Sequence, residues 1–218
     1  MQYLDIHTHQ AEQRKEVLSV QSFTLTENLF LAIPKTKPIS VGLHPWFSTL
    51  ANLEHHLRYL SSVATQKNVK LIGECGLDKL RGEKIEDQIY ILTQQIILAE
   101  QLGKPLILHC VKSFSELIQL KDKLRVKIPM ITHGFNKNEK LGEQLLAKGF
   151  FLSFGESILN GESGAAKLAQ KTDRFFLETD DSEVPIEKIY AHVANLKKCT
   201  VEDLKARIFT DWEKLIKR

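Results

Sequence analysis

Imidazoles and carboxylates, the side chains that bind metals and carry protons near neutral pH, close one short apolar run after another in this chain. His7 and His9 end YLDIHTH, His44 follows ISVGL, and Glu74 stands near the end of KLIGEC. His109 falls in PLILHC, His133 in PMITHG, and Asp180 follows RFFLET. In an extended strand, residues two apart project from the same face, so Asp5, His7 and His9 point together, away from Leu4, Ile6 and Thr8. One His-x-His pair is compatible with a metal site or with hydrogen-bonded histidines in a core or on a surface. Repetition of the same placement on strand after strand points to one shared site. Mixed nitrogen and oxygen donors suit Zn²⁺, Mn²⁺ or Fe²⁺ and, less comfortably with so many histidines, Mg²⁺. Cys75 and Cys110 alternate with Glu74 and His109, so the pleat turns them outward as small buried thiols and not as ligands.

The elements that must position these groups are legible in the apolar periodicity. Strands are predicted at 3–9, 17–23, 39–43, 70–75, 105–110, 129–134, 150–155 and 174–179. Ile85, Ile89, Leu92, Ile96 and Ala99 recur at helical spacing within 83–102, and Gly103 supplies the stop. Ser113 and Glu116 have capping-box spacing ahead of Leu117, Ile118 and Leu120, and 138–148 ends at Gly149. Further helices are expected at 50–65, 186–198 and 200–217. Alternation of strand and helix implies a parallel sheet, and the strand count suggests an α/β fold closed as a (β/α)₈ TIM barrel. Carboxyl ends of the strands converge on one face of such a barrel, where active sites are built. One unit departs from the pattern. Only Gln10 to Glu16 join the first two strands, too few for a usual crossover, so the barrel is expected to be trimmed, lacking its first helix. The direction of the second strand stays open.

Length and composition set the outer bounds. At 218 residues, 43% hydrophobic and 26% charged, the chain reads as one globular domain over 1–218. A net charge of +3 is too small to announce a nucleic-acid binder by bulk electrostatics. Three cysteines form neither a C-x-x-C pair nor an even set, which favours a reducing compartment. No apolar stretch is long enough for a membrane span and no signal peptide is evident. The expectation is a cytoplasmic protein without a membrane association or an obligate protein partner.

The stretches DIHTH, GLHPW, GECGLD, PLILHC, ITHGF and ETDD, in this order, resemble the TatD family of metal-dependent hydrolases, within the amidohydrolase-like barrels. The resemblance covers the chain from Asp5 to Asp181. It implies two divalent metal ions and, for most members, deoxyribonuclease or phosphoesterase activity on DNA or a small phosphate ester. It further implies that His7, His9 and Asp180 hold one metal and His109 and His133 the other, with Glu74 bridging. His44 would contact the substrate phosphate or support the ligands. Physical reasoning agrees with that assignment, since two ions about 3.5–4 Å apart can share a hydroxide and clamp both oxygens of a phosphodiester. Asp180 is then the natural proton acceptor, with Glu74 and His44 completing the catalytic group.

The surroundings depart from the family pattern. An arginine usual two residues after the strand-5 histidine is Val111 here, with Lys112 beside it. The usual Ala-Pro after ETD is Asp181 and Ser182, and the aromatic after GLD is Lys79. Lys112 and Lys137 are candidate phosphate contacts within a loose basic group that also holds Lys79, Arg81, Lys84 and Lys140, diluted by Asp78, Glu83, Glu86 and Glu139. Trp46 and Phe47 either stack a base or cover the barrel mouth. Amide or lactone hydrolysis on the same metals, and metal or nucleic-acid binding without catalysis, are the alternative functions.

Overall fold

The structure is a computed structural model and describes residues 1–12, 14–25 and 33–217. Among these, strands β1 (Tyr3–Thr8), β2 (Val17–Thr24), β3 (Ile39–Gly42), β4 (Val69–Asp78), β5 (Leu106–Val111), β6 (Met130–Thr132), β7 (Phe151–Phe154) and β8 (Phe175–Leu177) follow one another in chain order in one eight-stranded sheet. Helices α1 (Leu53–Ala64), α2 (Ile85–Leu102), α3 (Phe114–Leu124), α4 (Glu139–Ala147), α5 (Gly164–Lys171), α6 (Ile186–Lys197) and α7 (Val201–Ile216) alternate with the later strands. All the predicted strands are present. By internal packing the chain falls into two compact units, Met1–Gln21 with Ile131–Arg218, and Ser22–Met130.

In the first unit, β1 and β2 pair in parallel, Tyr3 opposite Val17 and Leu4 opposite Leu18. The segment between them contains no helix among the described residues, as expected, and β2 runs parallel. A six-residue strand is about 20 Å long. Residues 9–16 can reach about 27 Å when extended, so a helix is not needed to return the chain. β6, β7 and β8 are parallel in turn. An isolated bridge joins Thr8 to Asp180, with Asp180 N–H donating to the His7 carbonyl at 3.0 Å and His9 N–H to the Asp180 carbonyl at 3.1 Å. These bonds fix the ends of β1 and β8 side by side. Tyr190 on α6 anchors the base of β1, its hydroxyl accepting from Leu4 N–H at 3.2 Å and donating to the Leu4 carbonyl at 3.0 Å.

Helix α5 is not anticipated by the sequence. Its buried face is Ala165, Ala166, Leu168 and Ala169, small residues that give a weak apolar stripe, and Ser163 caps it by accepting from Ala166 N–H at 3.1 Å. The single turn of 3₁₀ helix at Glu156–Leu159 escapes for the same lack of periodic signal.

In the second unit β3 pairs with β4 and β4 with β5, all parallel. α2 covers them and sends two buried glutamines inward. Gln95 accepts from Leu43 N–H at 2.7 Å and donates to the Leu43 carbonyl at 3.0 Å, which fixes the backbone just before His44. α3 begins where expected, but the capping box does not form. Lys112 adopts a positive φ of 51°, the Ser113 hydroxyl turns back to donate to the Val111 carbonyl at 2.8 Å, and Glu116 pairs with Lys79 instead.

Cys75 is wholly buried, its Sγ 3.8 Å from the Ile107 carbonyl, and burial pushes its thiol well above the usual range. Because the thiolate is the reactive form, a thiol reagent is expected to label half-buried Cys110 or Cys199 in the native protein and to reach Cys75 only after unfolding. Mass mapping of the labelled cysteines checks this; native labelling of Cys75 contradicts it.

Candidate metal centre

The first unit gathers four of the expected ligands. β1 ends by presenting His7, fully buried, and His9, more exposed. The backbone bonds just described bring Asp180 to them, in a left-handed conformation with φ 53°. Asp180 Oδ1 lies 3.4 Å from His7 Nε2 and 3.5 Å from His9 Nε2. These separations exceed the usual hydrogen bond but match the edge of a tetrahedron of ligands each ~2.1 Å from a central ion, about 3.4 Å. The His133 ring centroid lies 4.4 Å from that of His7, so His133 joins the same cluster from the end of β6. His7, His133 and Asp180 form one set of donors close enough to hold an ion; His9, Asp180 and Asp181 form another.

Two acidic residues beside this cluster have separate roles. Asp5 does not join the histidines, because its carboxylate accepts from Thr179 N–H at 3.0 Å and from the Thr179 hydroxyl at 2.7 Å. Burial pushes its carboxyl up to about 7 in spite of those bonds. Glu178, wholly buried, accepts from Gly134 N–H and stands 3.6 Å from His133 Nδ1, where it can orient the ring. Sequence reasoning misses Glu178, although it lies only two residues before Asp180, just beyond the end of β8. A cavity of about 410 Å³ opens at Asp180, bordered also by Asn136, Ser157 and Ser182.

The second unit gathers the others. Glu74 Oε1 is shared by His44 Nε2 at 3.0 Å and His109 Nδ1 at 2.9 Å, and the three form a further donor set. His44, which the resemblance makes either a substrate contact or a support for the ligands, is here within reach of Glu74. Asp78, read from the sequence as a surface acid, is buried at the end of β4 on the same face as Glu74. Its Oδ2 accepts from Trp46 Nε1 at 2.7 Å and lies 3.2 Å from His109 Nε2, while its Oδ1 accepts from Leu80 N–H at 2.8 Å. Burial acts to raise this carboxyl, but the Trp46, Leu80 and His109 hydrogen bonds outweigh it and hold the group below its ordinary value. Lys112 and Lys137 are exposed.

Parallel strands whose carboxyl ends carry imidazoles and buried carboxylates define an α/β-barrel protein equipped to bind metal. The particular family follows from comparison: the model of the family described as TatD related DNase matches residues 5–217, and the chain belongs to that family. A relative from Cronobacter turicensis named 3'-5' ssDNA/RNA exonuclease TatD is 31% identical over 147 residues, covering 65% of this chain and 56% of the relative. The corresponding protein of Erwinia tasmaniensis is 32% identical over 148 residues, with the same coverage. The chain thus spans about half the length of the curated relatives it matches. Among solved structures, a TatD homologue from Escherichia coli K12 superposes with a TM-score of 0.81 at 19% identity, covering 99% of this chain and 98% of the other. A TatD family hydrolase from Entamoeba histolytica gives 0.75 at 17% identity, covering 99% and 98%. The fold is the trimmed (β/α)₈ barrel expected from the sequence. No helix among the described residues is long and apolar enough to cross a membrane.

Proposed function

We propose that this chain forms a single hydrolase domain and is a divalent-metal-dependent phosphodiesterase, a nuclease acting on single-stranded DNA or RNA. The observation that carries the reading is the clustering of imidazole and carboxylate donors around Asp180, close enough together to hold an ion. The names of the matched relatives agree with it. His7, His9 and Asp180 would hold one ion, and His109 and His133 a second, with Glu74 shared between the ions as the family resemblance has it. Bound there, the ions supply charge neutralisation at the phosphate and an acidified water. Asp180, half exposed beside the cavity, accepts the proton of the attacking water. His44 is held against Glu74 and keeps that carboxylate oriented. Asp78 does the same for His109.

The test is turnover by metal-reconstituted protein on single-stranded DNA, RNA, a p-nitrophenyl phosphodiester and simple amides. Cleavage of the phosphodiesters is expected; turnover of amides alone would replace the reading. Exposed Lys112 and Lys137 are assigned to the polyanion in the same proposal. Replacing both by alanine is expected to raise KM for an oligonucleotide roughly tenfold and to flatten its log–log salt dependence by roughly 1.4, ~0.7 for each phosphate that a lysine neutralises on a single strand. An unchanged KM and slope would remove the lysines from the substrate path.

A further inference from the structure

We propose that Arg81, stacked on Trp46, is a phosphate clamp of this enzyme, gripping the backbone of the single-stranded nucleic acid assigned to it above; the inference rests on that assignment for its substrate. The guanidinium carbon lies 4.0 Å over the Trp46 ring. Trp46 in turn packs edge-on against the proposed ligand His109 and against His44, which holds Glu74, its ring centroid 5.3 Å from that of His109 and 4.8 Å from that of His44. Arg81 is therefore one indole away from both.

Three features make this a built position and not a surface arginine in passing. The indole is locked by its N–H donation to buried Asp78. The loop carrying Arg81 is pinned from beneath by Gln88, 1% exposed, which accepts from Asp78 N–H at 2.7 Å and donates to the carbonyls of Asp78, Arg81 and Glu83 at 2.9, 3.0 and 2.7 Å. The guanidinium makes no ion pair with any carboxylate among the described residues, although Glu83 and Glu86 are close in sequence. Neighbouring Lys79, by contrast, is occupied by Glu116. Stacking holds a guanidinium by its face and leaves its edge, with its N–H donors, free for a planar two-point grip on phosphate. A lysine gives only a point charge. Position 111, after His109, carries no such group.

The test titrates a single-stranded phosphorothioate oligothymidylate, which resists cleavage, onto the metal-loaded protein at stepped salt concentrations. Arg81→Ala is expected to raise Kd about tenfold and to reduce the salt slope by about 0.7, one phosphate contact. Arg81→Lys should recover the slope but not the affinity, and Trp46→Leu should weaken binding with the charge count unchanged. Lys123→Ala on α3 serves as the matched removal of one charge, with Kd expected to stay as in the parent protein. Metal content and thermal midpoint, measured on each variant, keep a folding defect from passing as a binding one. Binding weakened equally in Arg81→Ala and Lys123→Ala, unchanged in Arg81→Ala, or absent from the parent protein would each overturn the clamp. Turnover of the p-nitrophenyl phosphodiester is read separately and decides the hydrolase reading whatever happens to Kd.

Discussion

Glu74→Ala is expected to lose both metal ions and to lower kcat on a phosphodiester by at least ~10²-fold, the loss typical of deleting one preorganised charged group from an active site. Glu74 is 3% exposed, and a single oxygen of its carboxylate serves both His44 and His109. Removing it leaves two largely buried imidazoles without their common anion, and neither can replace a carboxylate as a hard ligand. If Glu74 is shared between two ions, metal content after reconstitution should fall at both. His133→Ala should cost only one equivalent, because the His7, His9 and Asp180 donors stay in place. Elemental analysis and far-UV circular dichroism on the two variants separate the cases. An identical loss of one equivalent from each would rule out the bridging role.

The strands are legible in the sequence because most are short apolar runs cut off by Gly, Pro or a charged residue, and the missing first helix is legible from the number of residues available. α5 is not, since a stripe made mostly of alanine carries little periodic contrast. In the candidate site, placement at strand ends is enough to single out His7, His9, Glu74, His109 and Asp180. Asp78 and Glu178 escape although the same two-residue period contains them, Asp78 four residues after Glu74 and Glu178 two before Asp180. Asp78 looks like one more surface charge near several lysines, when β4 in fact continues to it and buries it. Gln88 and Gln95 leave a fainter trace. They are seven residues apart on the buried face of α2, and only their hydrogen bonds to loop backbone explain polar side chains there. Sequence periodicity reports which face a residue occupies; what it touches depends on loops that periodicity does not describe.

Gly76→Ala is expected to destabilise the protein more than any surface change, although it adds one methyl group. Gly76 sits opposite His109 in the β4–β5 register and has a φ of 153°, a region side chains rarely adopt. A Cβ at this position would overlap the His109 carbonyl oxygen and come within 3.0 Å of the His109 nitrogen. Backbone atoms of a central strand cannot step aside as a flexible side chain would. The two strands must separate at the residue that presents His109, two positions from Glu74. Backbone strain of about 1–3 kcal/mol and overpacking of a similar size add to roughly 2–6 kcal/mol. For a chain of this length that corresponds to a fall of about 4–24 °C in Tm. Gly161→Ala is the control, since nothing lies within 4 Å of the position its methyl group would take, and its effect should stay within about 0.5 kcal/mol. Calorimetry on the two metal-free variants measures the difference, and metal titration should show weaker binding in Gly76→Ala because His109 is displaced. Equal Tm values for the two alanines would mean that β5 yields at His109 without cost, and that the close approach of the strands does not set the ligand geometry.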